Sequence, residues 1–175
     1  MKTLTLLRHA KSGWDAPVAR DFDRPLSPRG RKAARAMGRE MKRLQLAFDR
    51  VIASPAARAA ETIDGLEQDY GALPAEQDER VYLASAETLL DLVRATDDAE
   101  ARLLIVGHNP GMEQLALLLA REGTLRDAIA AKYPTGALAE IRFEAQSWRD
   151  INAGAGCLEH FIRPRDLDSG LGPED

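Results

Sequence analysis

Four side chains able to bind and transfer a phosphoryl group follow short apolar runs of the sequence: Arg8, His9, Arg58 and His108. A guanidinium binds phosphate through a planar set of donors, and an imidazole titrates near neutral pH and can act as a nucleophile. No acidic cluster suited to Mg²⁺ accompanies them in the sequence. If the fold brings the four together, they would form a pocket that neutralises a phosphoryl group and attacks it with a histidine.

The elements that must position these residues alternate along the first part of the chain. Apolar runs at 3–7, 51–53 and 102–106 predict strands, each followed by a helical pattern, and VYL (81–83) is a further strand candidate. Such alternation predicts an α/β fold, a three-layer α/β/α sandwich in which helices cover both faces of a mainly parallel sheet. In such sheets ligands bind beyond the carboxyl ends of the strands, where the four side chains are expected to meet.

Serines mark the predicted helix starts. Ser27 and Ser54 each precede a proline, and Ser85 precedes a further apolar helical stripe. A helix beginning at Ser54 would also offer free backbone N–H groups to an anion, with Arg58 in its first turn.

The late part of the chain changes character. Segments 137–143, 147–151 and 157–163 read as strands with few helical features, which predicts a mixed edge to the sheet. There is no internal repeat and no low-complexity linker. The sequence therefore predicts a single domain over residues 1–167, followed by a flexible tail at 168–175.

Composition narrows the functional classes. The chain has 175 residues, 45% of them hydrophobic and 30% charged, and one cysteine. No apolar stretch is long enough to span a membrane, and the start of the chain is too short and polar for a secretory signal, so a cytoplasmic protein is expected. Residues 1–50 hold 13 of the 24 Lys and Arg but 5 of the 28 Asp and Glu. The acidic balance of the whole chain argues against a nucleic-acid partner.

Three segments carry a family resemblance: LLRHAKSGWD, SPAARAAET and VGHNPGMEQLA. They resemble the signature segments of the histidine phosphatase superfamily, the phosphoglycerate-mutase-like proteins. RHAKS, DFDRPLSPRG, VYLAS and VGHNPG are most similar to phosphohistidine phosphatases of the SixA type. The resemblance runs from Leu4 to about Leu167 and implies a phosphoglycerate mutase-like fold.

The resemblance also implies roles. His9 would be the nucleophile that becomes phosphorylated, and Arg8, Arg58 and His108 would bind the phosphoryl oxygens. The residue after the nucleophile is Ala10, where the superfamily usually has glycine; the SixA-like group shares this change. Nothing in the family's pattern implies a metal or another cofactor.

Neighbouring polar residues are weaker candidates. Ser12 is expected to donate to the phosphate, whereas Asp15 would repel it if ionised and is left out. The segment between the second and third motifs is short, and Glu79 is its nearest candidate for a general acid. Trp14 either lines the mouth of the pocket or closes its loop onto the core.

The implied reaction is removal of phosphate from phosphohistidine on a protein, and a histidine phosphotransfer domain is one candidate partner. A small phosphorylated molecule is the alternative substrate, which would make the chain a broad phosphomonoesterase. A monomer would suit access by a protein. The short segment makes a mutase a poor alternative, and a non-catalytic phospho-ligand-binding protein would not need the nucleophile.

Two other chemistries fit the sequence less well. Cys157 and Arg163 have the spacing of cysteine-dependent phosphatases, but the residues between them contain no glycine to wrap a phosphate. His9, His108 and His160 lack the short spacings of common zinc sites, and no P-loop motif is present.

Overall fold

The computed structural model describes residues 1–14, 17–18 and 20–172. Its strands are β1 (Lys2–Arg8), β2 (Arg50–Ala53), β3 (Glu76–Gln77), β4 (Arg102–Gly107), β5 (Leu138–Phe143) and β6 (Cys157–Ile162). They form one sheet in the order β3-β2-β4-β1-β5-β6. The pairs β2–β3, β2–β4 and β1–β4 are parallel, whereas β1–β5 and β5–β6 are antiparallel. The predicted mixed, mainly parallel sheet is confirmed.

Helices cover both faces of this sheet. They are α1 (Pro28–Arg43), α2 (Ala57–Tyr70), α3 (Ala86–Arg94), α4 (Gly111–Leu119), α5 (Thr124–Ala131) and the short α6 (Pro164–Leu167). Helices α1 and α2 pack together on one face, and α3, α4 and α5 pack on the other. This is the expected three-layer α/β/α sandwich, although the sequence pattern did not predict α5.

Strand β1 shows how the sequence builds the two layers. Leu4 and Leu6 are buried in the cluster that contains the residues of α3 and α4. Leu7 is buried in the other cluster, with residues of α1 and α2. Because successive strand residues point to opposite faces, one apolar run contributes to both cores and fixes its own register.

Two predicted strands are wrong. The chain forms a 3₁₀ turn at Glu79–Val81, where VYL was expected to start a strand, and another at Trp148–Asp150 within the segment SWRDI. In the first, the Asp78 side chain accepts a hydrogen bond from the backbone N–H of Arg80, and in the second Ser147 caps in the same way. Local capping therefore prevails over β-propensity in both segments.

The predicted serine N-caps are confirmed at two of the three positions. Ser27 accepts from the backbone N–H of Gly30, and Ser85 accepts from that of Thr88. Helix α2, however, begins at Ala57 with Ala56 as its N-cap, so Ser54 does not cap it. Ser54 instead belongs to the candidate site.

The start of the predicted tail is packed. Ser169–Leu171 forms a 3₁₀ turn, and Leu171 is buried against Ala33 and Ala36 of α1. This packing corrects the expectation of flexibility from residue 168 for the part of the tail that the structure describes. In the described chain, no helix has the length and apolar character needed to cross a bilayer.

Candidate active site

Backbone hydrogen bonds at the carboxyl edge of the sheet bring the predicted residues together. The N–H of His9 donates to the carbonyl of Gly107 at 3.0 Å, directly beside His108. The two imidazole rings lie 5.1 Å apart, centroid to centroid. Strand pairing between β1 and β4 therefore places histidines that are 99 positions apart side by side.

Arg58 completes the arrangement from the first turn of α2. It is 2% exposed, and its Nε points at Nε2 of His9 at a distance of 3.4 Å. Arg8, His9, Arg58 and His108 all line one cavity of about 450 Å³. The structure thus brings together the four side chains that the sequence singled out.

The hydrogen bonds of His9 define its tautomer. Nδ1 lies 2.7 Å from the carbonyl oxygen of Ala10, which can accept but not donate. Nδ1 therefore carries the proton, and the neutral ring keeps a lone pair on Nε2. Nε2, which accepts a hydrogen bond from Nε–H of Arg58 in the ligand-free protein, is thus the unprotonated nitrogen that can attack an electrophile once that bond is released.

Burial keeps both histidines neutral. It lowers the pKa of His9 to about 3, and the nearby charges of Arg58 and Arg8 act in the same direction. Burial likewise lowers the pKa of His108 to about 4, again helped by Arg58. Both rings are uncharged at neutral pH in the ligand-free protein, which preserves the nucleophilic form of His9.

Ser54 orients His108. Its Oγ lies 2.7 Å from Nε2 of His108 and also accepts from the backbone N–H of Ala56. With the N–H of Ala56 already donating to it, the hydroxyl can donate to Nε2, which leaves the ring proton on Nδ1. Nδ1 is buried without a hydrogen-bond partner in the described structure.

Arg8 is held by a main-chain carbonyl. Its Nη1 donates to the carbonyl of Tyr133 at 2.9 Å, and its Nε is buried without a partner among the described residues. Burial lowers the pKa of Arg8 from its ordinary value. Unsatisfied donors on a buried cation favour an anionic ligand, because an anion would satisfy both the charge and the donors.

The sequence interpretation missed a second group of residues in this pocket. Asp21 ion-pairs with Arg58 at 2.9 Å and with Arg24 at 3.0 Å, and it accepts from the hydroxyl of Tyr82 at 2.8 Å. Tyr82 also sets the edge of its ring against His108, with centroids 5.4 Å apart. Asp21 and Arg24 lie three residues apart in DFDRPL, a spacing that could have indicated the pair.

Asp21 is ionised in this setting. Burial raises its pKa, but hydrogen bonds from Tyr82, Arg24 and Arg58 outweigh burial and bring the pKa down to about 2. A carboxyl group held ionised cannot donate a proton at neutral pH. Asp21 therefore orients Arg58 and is not suited to act as a general acid.

Of the remaining predicted site residues, some lie in the pocket and others do not. Ser12 is buried in the pocket wall, with its Oγ bonded to Arg24, and Trp14 lines the pocket while stacking on Arg24 at 4.0 Å. Glu79 is exposed on its 3₁₀ turn and does not line the pocket. Asp15 lies outside the described residues.

The alternative chemistries find no support in the geometry. Cys157 starts β6, pairs with Arg142 of β5 and does not line the pocket. His160, on the same strand, bonds to Glu140 at 3.0 Å. Within the described ranges, no three His, Cys, Asp or Glu residues form a group that could hold a metal ion.

Comparison with known proteins assigns the class. A model of the histidine phosphatase superfamily (branch 1) matches residues 4–136. The chain therefore belongs to the histidine phosphatase superfamily, and it is a phosphatase. Within that superfamily it is SixA-like, and its fold is phosphoglycerate mutase-like.

Individual relatives agree with this placement. An uncharacterized protein of Mycobacterium tuberculosis is 35% identical over 163 residues, covering 91% of this chain and all of the relative. A structure from Agrobacterium tumefaciens, provisionally assigned as the phosphohistidine phosphatase SixA, is 29% identical with a TM-score of 0.78, covering 93% of this chain and 98% of its own. The protein histidine phosphatase SixA complexed with tungstate has the same fold, with 22% identity, a TM-score of 0.78, and coverage of 95% and 99% of the two chains.

Proposed function

We propose that this protein removes phosphate from phosphohistidine on a protein, with His9 as the nucleophile. The observation that carries the proposal is the unprotonated Nε2 of His9, held beside the guanidinium of Arg58 in a cavity lined by three cationic arginines, Arg8, Arg24 and Arg58. A neutral imidazole facing bound positive charge is the arrangement that attack on a phosphoryl group requires.

The reaction has two displacements. The lone pair of His9 Nε2 attacks phosphorus, and the bond from phosphorus to the substrate nitrogen breaks. The electron pair of that bond leaves with the substrate ring, which departs as neutral imidazole because its other nitrogen carries a proton. Water then attacks the phosphorus of phospho-His9; inorganic phosphate leaves, and Nε2 recovers its lone pair. Arg8 and Arg58 stabilise the charge on the phosphoryl oxygens, and Nδ1–H of His108 gains one of those oxygens as its missing acceptor.

The lack of a protonated acid among the described residues that line the pocket supports a nitrogen-linked phosphate. Among the described residues that line it, Asp21 is the one carboxylic acid, and its pKa of about 2 keeps it ionised. An alkoxide leaving group needs a proton from a protonated acid, whereas an imidazole leaving group depends less on such an acid. Phosphohistidine is therefore a better substrate for this pocket than a sugar phosphate.

Exposed apolar residues beside the pocket support a protein as the bearer of the phosphate. Trp14 and Leu83 line the cavity and are 76% and 56% exposed. Large apolar side chains held in solvent at the entrance can be covered by a partner's surface, which a small metabolite would not do.

The test is to trap phosphoenzyme after brief exposure to a labelled phosphohistidine peptide. The label should survive alkali, be released by acid and be absent from His9→Ala. His160→Ala serves as the matched control, because His160 lies on β6 against Glu140, and it should label normally.

Two results would contradict the proposal. Labelling of His9→Ala would exclude His9 as the nucleophile. Equal kcat/KM values for the phosphohistidine peptide and for a phosphomonoester would favour the broad phosphomonoesterase instead.

A further inference from the structure

Part of the wall of the candidate active-site pocket comes from a tight turn at residues 81–84. The N–H of Ala84 donates to the carbonyl of Val81 at 3.3 Å and closes the turn. Tyr82 has φ −63° and ψ 115°, and Leu83 has φ 50°. The first central residue is therefore extended and the second is left-handed, which is the pattern of a type II turn. Leu83 thus occupies the position at which such a turn favours glycine.

Contacts on both sides of Leu83 hold this backbone in place. The hydroxyl of Tyr82 donates to Asp21 at 2.8 Å. On the other side, the backbone of Ala84 lies so close to Gly111, at the start of α4, that a Cβ on Gly111 would clash with the Ala84 carbonyl. The left-handed conformation of Leu83 is therefore imposed by its neighbours, against the preference of a leucine.

The leucine side chain gains little from the fold in return for this strain. Leu83 is 56% exposed. A single exposed leucine is ordinary on a protein surface, but here the exposure coincides with an unfavourable φ. Gln45, the other described non-glycine residue at positive φ, is polar, exposed and placed just after the C-cap of α1, where a left-handed residue is common. Neither folding nor solubility explains a leucine at position 83.

The location of Leu83 indicates what its side chain contacts. Leu83 lines the same cavity as His9 and Arg58, so a molecule whose phosphoryl group lies at His9 brings its neighbouring atoms to Leu83. A leucine side chain forms no hydrogen bonds and selects a neighbour by the apolar surface that both remove from water. Because more than half of Leu83 faces solvent, it lies on the outer side of the pocket, within reach of the residues that flank a phosphohistidine.

We propose that Leu83 is a specificity-determining residue that contacts an apolar side chain next to the phosphohistidine of the substrate protein. The proposal rests on the proposed function for the identity of the phosphorylated residue. It adds that the protein distinguishes among phosphohistidine sites by the residue beside them.

The test compares two phosphohistidine peptides of otherwise identical sequence. The leucine peptide has Leu on both sides of the phosphohistidine, and the serine peptide has Ser at both positions. Wild-type kcat/KM should favour the leucine peptide by roughly fivefold, which corresponds to removing part of one leucine side chain from water. The ratio of the two peptides on one protein cancels any general loss of activity in a variant.

Substitution of Leu83 should change this ratio. In Leu83→Asn, which tolerates positive φ but lacks the apolar surface, the preference for the leucine peptide should vanish. Leu83→Met keeps an apolar side chain of similar volume and should keep the preference. Leu118→Asn is the matched control, because Leu118 is 43% exposed on α4 and does not line the pocket; its ratio should equal that of wild type.

Denaturant unfolding checks the strain at Leu83. At ordinary φ, alanine is more stable than glycine, because glycine loses more conformational entropy on folding. At position 83 the order should reverse, so that Leu83→Gly unfolds at a higher denaturant concentration than Leu83→Ala. The ordinary order would show that the backbone there is unstrained and would overturn the inference.

Binding separates this inference from the proposed function. Wild type is titrated with stable phosphonate analogues of the two peptides, which require no turnover. Tighter binding of the leucine analogue, lost in Leu83→Asn, supports the role of Leu83 even if neither peptide is hydrolysed. Hydrolysis of both peptides at equal kcat/KM, with equal binding of the two analogues, would overturn the role of Leu83 and leave the proposed function standing. Equal binding without hydrolysis would contradict both.

Discussion

The guanidinium of Arg58 contacts Asp21 at two points: Nη2 donates to the carboxylate at 2.9 Å, and Nη1 donates to the backbone carbonyl at 2.9 Å. These bonds leave Nε directed at His9. An acidic side chain thus stands in an anion-binding pocket because it holds a cation in place. The same carboxylate would weaken phosphate binding by repulsion, so its removal should affect binding and catalysis in opposite directions.

Asp21→Asn should separate these two effects. Removing the charge should tighten inhibition by inorganic phosphate roughly threefold, while looser positioning of Arg58 lowers kcat about tenfold. Steady-state kinetics with phosphate as inhibitor measure both. Asp23→Asn is the control, because Asp23 lies in the same 3₁₀ turn but pairs with Arg20. Weaker phosphate binding with unchanged kcat would contradict the assigned role.

Ser54→Ala should disable His108 without touching the pocket directly. The change leaves Nε2 of His108 and the N–H of Ala56 without their buried partner, at a cost of about 1–3 kcal/mol in the free energy of unfolding. We also expect kcat to fall at least about tenfold, because the ring loses the bond that orients it. Ser54→Thr retains the hydroxyl and should rescue kcat; equal losses in both variants would point to packing alone.

The two buried histidines should make folding sensitive to acid. The pKa of His9 is about 3 in the folded protein against an ordinary 6.5, so the unfolded chain binds the proton more tightly. Stability is then full above pH 6.5 and is lost as the pH falls toward 3. Between pH 7 and pH 5, His9 alone should account for a loss of about 2 kcal/mol.

Denaturant unfolding in phosphate-free buffer at pH 7 and pH 5 measures this loss. His9→Asn should reduce the pH-dependent loss by about 2 kcal/mol relative to wild type, whatever its effect on stability at pH 7. Identical pH dependence in the two proteins would show that His9 is not held neutral by the fold.

Gly30→Ala should displace the loop that carries the first motif. A Cβ on Gly30 would lie 2.0 Å from the carbonyl oxygen of Lys11, and that oxygen also accepts from the N–H of Ser27. The clash with backbone should cost about 2–4 kcal/mol of unfolding free energy and reduce activity. Gly123→Ala is the matched control, because nothing lies within 4 Å of a Cβ there. A neutral Gly30→Ala would contradict this packing.

The main features of the site could be predicted because they depend on sheet topology. Short apolar runs identify β1, β2 and β4, and parallel strands direct their carboxyl ends to one edge. Arg8, His9 and His108 follow from that rule. Arg58 follows from its place in the first turn of a helix after a strand.

The residues that support them could not be predicted in the same way. Asp21 and Tyr82 lie 61 positions apart in irregular segments and meet through one hydrogen bond. No periodicity encodes such a contact. Ser54 shows the opposite problem, since a serine before a proline matches a helix start but here bonds to His108 instead.

His9, the proposed nucleophile, is oriented by a main-chain oxygen, the carbonyl of Ala10, and this has a consequence for how the site can vary. Saturation mutagenesis would find no partner side chain for Nδ1, because any residue at position 10 supplies the same oxygen. A mutation can instead remove the side-chain hydrogen bond that holds the backbone of Ala10, in which the N–H of Ala10 donates to Oγ1 of Thr62 at 2.9 Å. A side-chain substitution that reorients the imidazole is therefore expected at Thr62, one helical turn beyond Arg58 on α2.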